Sequence, residues 1–228
     1  MSNSARARDL LVAPIARSDG DRTVQMFHYS RSVVRNSQLH LGVFLGGRLE
    51  GAMQFGPPID KRKAHALVDG TAWNGMLELN RMAFGPRLPR NSESRALAVA
   101  LRWLRKTQPH VQWILSYADG TQCGDGAIYR ATGFSLTGIR KNTSIWSDGA
   151  GGKVNRVTLT NRPMANTAGA ASMRAVRQAG GAPLPGFQLR YVYFLEPTAR
   201  DRLAVPVLPY SAIRDAGARM YLGKAISE

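Results

Sequence analysis

Two apolar runs, Leu39 to Leu45 and Leu49 to Phe55, flank the pair Gly46-Gly47 in "LHLGVFLGGRLEGAMQFG". Glycine takes the positive φ angles of a tight primed turn without steric cost, so this stretch predicts a β-hairpin. Met76 to Phe84, "MLELNRMAF", alternates as a strand with Leu77, Leu79 and Met82 on one side. A break from Gly85 to Asn91 holds Pro86 and Pro89, and beyond it Leu97, Ala100, Leu101 and Leu104 recur at helical spacing. Asn91 or Ser92 is predicted to cap that helix through its side chain, and Gln108-Pro109 to end it. Val111 to Tyr117 predicts a buried strand, Ala118 to Gly126 a polar turn, Ala127 to Thr132 a short helix closed by Gly133, and Phe134 to Ile139 a further strand. Phe187 to Leu195 predicts the last strand.

The remaining segments give weaker patterns. The chain up to Asp21 reads as coil or helix, and Arg22 to Val34 as a short helix running into a loop. Pro57 to Gly70 is a basic connection containing Lys61, Arg62 and Lys63. From Asp148 to Gly181 the composition shifts to Gly, Ala, Asn and Thr, which predicts a loop-rich insertion with a helical option at Ala171 to Gln178. A short helix is predicted between Val207 and Gly223. Hairpin, strand, helix, strand, short helix and strand in this order describe an α/β (α+β) chain with a mixed central sheet flanked by helices, organised as one domain over residues 1–228.

Charge changes the picture most. The 228 residues carry 31 Lys and Arg against 15 Asp and Glu, a net charge of +16. Such an excess implies a phosphate-rich or otherwise anionic partner, and its plain alternative is a solvated basic surface. Arginine predominates, and its planar fork suits bidentate phosphate and guanine contacts. Cys123 is the single cysteine, which excludes an internal disulfide framework and a thiol-rich metal site. Apolar runs fall short of a membrane span and the first residues lack the apolar core of a signal peptide, so a cytoplasmic protein with no membrane partner is expected.

Three clusters offer chemistry. At the predicted start of the helix, Arg87, Arg90, Asn91, Ser92 and Ser94 gather where exposed N–H groups and the helix dipole favour a phosphate; an ordinary capped helix with basic neighbours is the equal alternative. On the preceding strand Arg81 is either a site residue or a partner for Glu78. After the apolar strand, Ser116, Tyr117, Asp119, Asp125 and Tyr129 are available as acids, bases or donors, against a common Asp-Gly turn. In "HYSR", His28 can be a base, a metal ligand or a DNA contact, Tyr29 can stack on an extruded base, and Ser30 and Arg31 adjoin them. No HxH, HExxH or Cys/His spacing is present, so no metal is expected.

Taken together, "HYSRSVVRNSQLHLGVFLGGRLEGAMQFG", "LELNRMAFGPRLPRNSESRALAVALRWLRK" and "LSYADGTQCGDGAIYRATGFSLTGIRKNTSIW" resemble the phage Mom-type DNA modification proteins, a divergent branch of the GNAT N-acetyltransferase superfamily. The resemblance covers roughly His28 to Trp146. It implies a GNAT-like fold and a transferase that converts adenine in DNA to an N6-carbamoylmethyl (acetamido-type) adenine, protecting phage DNA from host restriction enzymes. Within the family's pattern His28 and Tyr29 match the HY pair, Arg81 the strand arginine, Ser94 the first-turn serine, Asp119 the aspartate after the central strand, and Tyr129 the tyrosine of the short helix. The roles expected are Asp119 orienting or deprotonating the N6 amine and Tyr129 donating a proton or holding the donor group. His28 and Tyr29, with Ser30, Arg31, Ser116 and Tyr117 around them, would shape the base pocket, while Arg81 and Ser94 hold the donor.

The stretch "GPRLPRNSES" lacks the glycines of the usual pyrophosphate loop, so an acyl-CoA-type donor is implied by fold alone and its identity is open. Reaching N6 requires the base to leave the stack of double-stranded DNA, at a cost of a few kcal/mol. The sequence leaves the oligomeric state open, a dimer included. Two other readings stand beside this one: an acyl-CoA-dependent N-acyltransferase acting on a protein or small amine, and a basic DNA-binding protein without catalysis.

Overall fold

The computed structural model describes residues 6–120, 124–156, 159, 165–217, 220–221 and 224–225. A short edge strand, β1 (Leu11–Pro14), and a helix, α1 (Arg17–Phe27), stand where the pattern read coil or helix to Asp21 and a short helix from Arg22. The helix meets the sheet through Gly20, Thr23 and Val24 and not through an apolar stripe. A Cβ at Gly20 would lie 3.1 Å from Gln54 Nε2 and 3.2 Å from His40 Nδ1, so glycine eases this close approach. The predicted hairpin comes next: β2 (Leu39–Leu45) pairs antiparallel with β3 (Arg48–Gly56), and Gly46 and Gly47 take φ of 55° and 77°.

Helix α2 (Lys61–His65) lies within the basic connection, and β4 (Met76–Phe84) matches its predicted bounds. Helix α3 (Ser92–Thr107) buries Leu97, Ala100, Leu101 and Leu104, as the spacing predicts. Each such buried leucine contributes about 2 kcal/mol. The predicted side-chain cap is absent. Asn91 turns into the left-handed region (φ 68°) and makes no capping bond, while Ser92 Oγ donates to Pro89 O at 2.5 Å. The prolines that break the chain here thus take up the serine hydroxyl.

Strand β5 (Trp113–Asp119) runs two residues beyond the predicted strand and into the predicted turn; Cys123 and its two predecessors lie outside the described residues. Helix α4 (Ala127–Ala131) is closed by Gly133 at φ 87°, as predicted, and β6 (Ser135–Lys141) comes after it. A small hairpin pairs β7 (Ile145–Ser147) with β8 (Lys153–Asn155). Helix α5 (Ala165–Gln178), 14 residues long, extends well before the helical option at Ala171. Strand β9 (Phe187–Phe194), a short α6 (Ser211–Asp215) and a small antiparallel pair, β10 (Met220–Tyr221) with β11 (Lys224–Ala225), come last in the order.

Seven strands form one sheet in the order β1-β2-β3-β4-β5-β9-β6, antiparallel from β1 to β4 and parallel between β4 and β5. This is a mixed α/β architecture. The chain divides into two compact units: Met1–Ser116 with Ala127–Gly138 and Arg190–Leu208, and Tyr117–Gly126 with Ile139–Leu189 and Pro209–Glu228. In the first unit Trp113, Leu115, Val192, Met76 and Val68 form a buried cluster at the sheet's centre. The second carries the β7–β8 hairpin, α5 and α6.

A register shift interrupts the pairing of β3 with β4. Gln54 faces Arg81, but Phe55 faces Leu79, so Asn80 is an extra residue in β4. A β-bulge flips the alternation beyond it. Leu77, Leu79 and Met82 then share one face, as their spacing predicts, and Glu78 and Arg81 share the other. Gly56, which pairs with Glu78 beside the bulge, has no room for a side chain: a Cβ would come within 2.5 Å of Asn36 O and 2.7 Å of Asn80 Oδ1. Gly56→Ala is therefore expected to destabilise the fold by about 1–3 kcal/mol in urea unfolding, the usual range for overpacking a filled site.

Candidate active site

The bulge places a carboxylate, a guanidinium and an imidazole together within the first unit. Arg81 donates from Nε to Ser32 O (2.9 Å) and from Nη1 to Asn80 O (2.8 Å). Those bonds pin the segment after α1 to β4, and Ser37 Oγ adds a second pin by donating to Asn80 Oδ1 at 3.1 Å. Arg81 is thus committed to backbone carbonyls and acts on Glu78 through space. Burial lowers its pKa, while nearby Tyr29 and Glu78 favour its charge.

His28 ends α1, its N–H donating to Val24 O. The Ser30 backbone N–H donates to His28 Nδ1 at 3.1 Å, and Ser30 Oγ lies 2.8 Å from the same nitrogen. A backbone N–H can only donate, so Nδ1 is the acceptor and the neutral ring carries its proton on Nε2. Burial, then the charge of Arg81, lowers the His28 pKa to about 4. Tyr29 stacks on this ring with centroids 4.2 Å apart, and remains 54% exposed. Arg31 holds φ at 46° in the turn beyond, a strained value for a side-chain-bearing residue.

Glu78 was legible in the sequence only as a partner for Arg81. In the structure burial raises its pKa to about 7, against smaller opposing effects from the Ile59 backbone N–H, Arg81 and Asn80. The slip in spacing from Leu79 to Met82 is the signal that brings it to Arg81's face. Pairing between β4 and β5 stops at Glu78–Leu115 although both strands continue. Beyond this point Ser116 Oγ is buried without a hydrogen-bond partner. Unsatisfied buried polar atoms are uncommon and mark places where a ligand can bind.

The other predicted residues stand elsewhere. Ser94 Oγ donates to Asn91 O at 3.3 Å in the first turn of α3, and Arg87 lies 3.7 Å from Glu50. Arg90 and Asn91 are exposed beside them, while Ser92 is fully buried. Tyr129 is buried in a cluster of rings, 5.3 Å from Phe134 and 5.1 Å from Tyr191. Tyr117 is exposed on β5, Asp119 closes that strand half-buried, and Asp125 is buried; these three belong to the second unit. Among the described residues no group of three or more His, Cys, Asp or Glu is placed to hold a metal ion.

The two shifted groups make opposite contributions to stability. Glu78 has a folded pKa above its unfolded one, so ionising it above about pH 7 works against folding, and this penalty vanishes below the unfolded value. His28 has a depressed folded pKa, so its contribution is lost as pH falls below the unfolded value near 6.5. Glu78→Gln is expected to raise Tm by about 2–4 °C at alkaline pH and to leave it unchanged in acid below the unfolded carboxylate pKa, as read by thermal denaturation.

The profile of the Mom protein family matches residues 9–212. Methylcarbamoylase mom of Escherichia phage Mu is 38% identical over 182 residues, which cover 79% of this chain and 73% of that protein. Among solved structures, the spermidine/spermine N-acetyltransferase of Vibrio cholerae is similar over 86% of this chain and 98% of its own, at TM-score 0.49 and 10% identity. An IAA acetyltransferase from Bacillus cereus is similar over 81% and 99%, at TM-score 0.48 and 10% identity. The profile match and the identity to the phage Mu protein carry the assignment, and the chain belongs to the Mom protein family.

Proposed function

We propose that this protein is a phage DNA-modifying transferase that places a carbamoylmethyl group on N6 of adenine and so shields the DNA from host restriction. The observation that carries the reading is the half-buried cluster at the β4 bulge, Glu78, Arg81 and His28, in a chain of this family. Groups held partly desolvated around a reacting centre act more strongly than in water and need little reorganisation. The substrate is double-stranded DNA with the adenine extruded, encountered in the host cytoplasm. A net charge of +16 supports a phosphate-rich partner.

Within this reading Tyr29, exposed and stacked on a neutral His28, offers a face for the extruded base. Glu78, with its pKa near 7, takes the proton that the N6 amine gives up as its new bond forms. Arg81 holds the His28–Ser32 segment in place and keeps positive charge beside Glu78. With Glu78 as the proton acceptor, the family resemblance leaves Asp119 to orient the N6 amine and Tyr129 to hold the donor group. The donor, when bound, supplies an activated carbon with its leaving group. Ser116 Oγ, buried and unsatisfied where β4 and β5 cease to pair, suits a polar atom of an extended donor of the acyl-CoA type. The first turn of α3, which lacks a side-chain cap, keeps N–H groups for its phosphates beside Arg90 and Ser94.

Mass spectrometry of nucleosides from cells expressing the protein tests this directly. A carbamoylmethyladenine nucleoside is expected with the wild type. Its yield should fall about 100-fold or more in Glu78→Gln and in Asp119→Asn. Wild-type yield from both folded variants would overturn the assignment, and acetylation of a free amine without DNA would favour an ordinary N-acyltransferase.

A further inference from the structure

The basic connection before β4 has a structure that the proposed chemistry does not use. Ile59 is 84% exposed and Trp73 is 53% exposed, two large apolar side chains held in water. Trp73 is fixed there: Lys61 Nζ lies 4.5 Å over its ring, and His65 packs 5.4 Å away. Lys61 Nζ also donates to Asn74 Oδ1 at 3.1 Å. The backbone beneath is tied to the core. His65 Nε2 donates to Thr71 O (2.7 Å), Trp113 Nε1 donates to Thr71 Oγ1 (3.0 Å), and Val68 bridges to Leu203. Ala64, Leu67 and Val68 are buried in the central cluster.

A rigid frame thus presents a β-branched side chain, an indole and three consecutive cations, Lys61, Arg62 and Lys63, to solvent. Lys63 pairs with Asp60 at 2.8 Å, but both are largely exposed and such surface pairs exchange readily for a stronger anion. The Ile59 N–H faces Glu78, so this frame borders the candidate site. Proteins that open a duplex combine cations on the phosphates with apolar wedges at the base steps.

Resting on the reading that DNA is the substrate, we propose that residues 57–74 form a duplex-docking element, with Lys61, Arg62 and Lys63 on the phosphates and Ile59 and Trp73 against the bases beside the extruded adenine. The frame borders the site through backbone, so the surface can be altered without touching Glu78, Arg81 or His28.

Fluorescence anisotropy with labelled duplex DNA over a salt series, using the full chain, tests the element. The triple variant Lys61→Ala, Arg62→Ala, Lys63→Ala is expected to lose about tenfold or more in affinity, and the slope of log K against log salt should fall by about 2–3. Duplex should quench tryptophan emission in the wild type, and Trp73→Phe should remove most of that quenching. Far-UV circular dichroism checks that the variants are folded. Unchanged affinity and slope in the triple variant, while wild-type cells yield the modified nucleoside, would overturn the docking element alone. Absence of the nucleoside with the wild type would instead overturn the functional reading on which it rests. Loss of the nucleoside in the triple variant with DNA affinity intact would assign the surface to a protein partner and also overturn the proposal.

Discussion

The extra residue at Asn80 is the constraint on which the rest of the site depends. In a regular strand Glu78 and Arg81 would point to opposite faces, because side chains alternate with a period of two. One unpaired residue between them removes that opposition. Gly56 leaves the room for it, and Ser37 satisfies the Asn80 carbonyl oxygen. Arg81 then reaches the Ser32 carbonyl and brings the segment bearing His28 and Tyr29 onto the strand. Bulge, close glycine and pinned segment act as one arrangement, and each is needed to place the next.

That arrangement holds charge where water is scarce. Burial is the largest cause of the shift at Glu78, at His28 and at Arg81. A fold selected for stability alone would fill this space with apolar side chains, since an unpaired buried charge is costly. The same desolvation raises the Glu78 pKa to about 7 and keeps His28 uncharged, so stability is given up at the place where the proposed chemistry needs these groups.

Much of this was legible before the fold was known. The Gly46-Gly47 hairpin, the apolar face of α3 and the Gly133 closure rest on local rules, namely positive φ at glycine and helical spacing, and the structure has all three. The pattern over Met76 to Phe84 read as a plain strand with Leu77, Leu79 and Met82 on one side and did not announce the bulge, and Glu78 entered only as the alternative ion partner of Arg81. Helix α1 was legible only as coil or helix to Asp21 and a short helix beyond, because its buried face is Gly20, Thr23 and Val24 and not an apolar stripe. The cap of α3 failed because Asn91 enters the left-handed region, which asparagine adopts more readily than other side-chain-bearing residues, and Ser92 gives its hydroxyl to Pro89 O. Helix α5 was masked by a Gly- and Asn-containing composition that reads as loop. The triad of Glu78, Arg81 and His28 joins residues far apart in sequence, and no local rule reports such a meeting.

The central claim is that the bulge holds His28 neutral and desolvated beside Arg81. An NMR titration of the four histidine rings, with His28 assigned by substitution, tests it most directly. The account predicts that the His28 ring does not titrate between mildly acidic and alkaline pH and takes up its proton only at about pH 4. It also predicts that Arg81→Gln raises this value while leaving it below that of a free histidine, because burial is the larger cause. A wild-type His28 that titrates near 6.5, like a solvent-exposed ring, would contradict it.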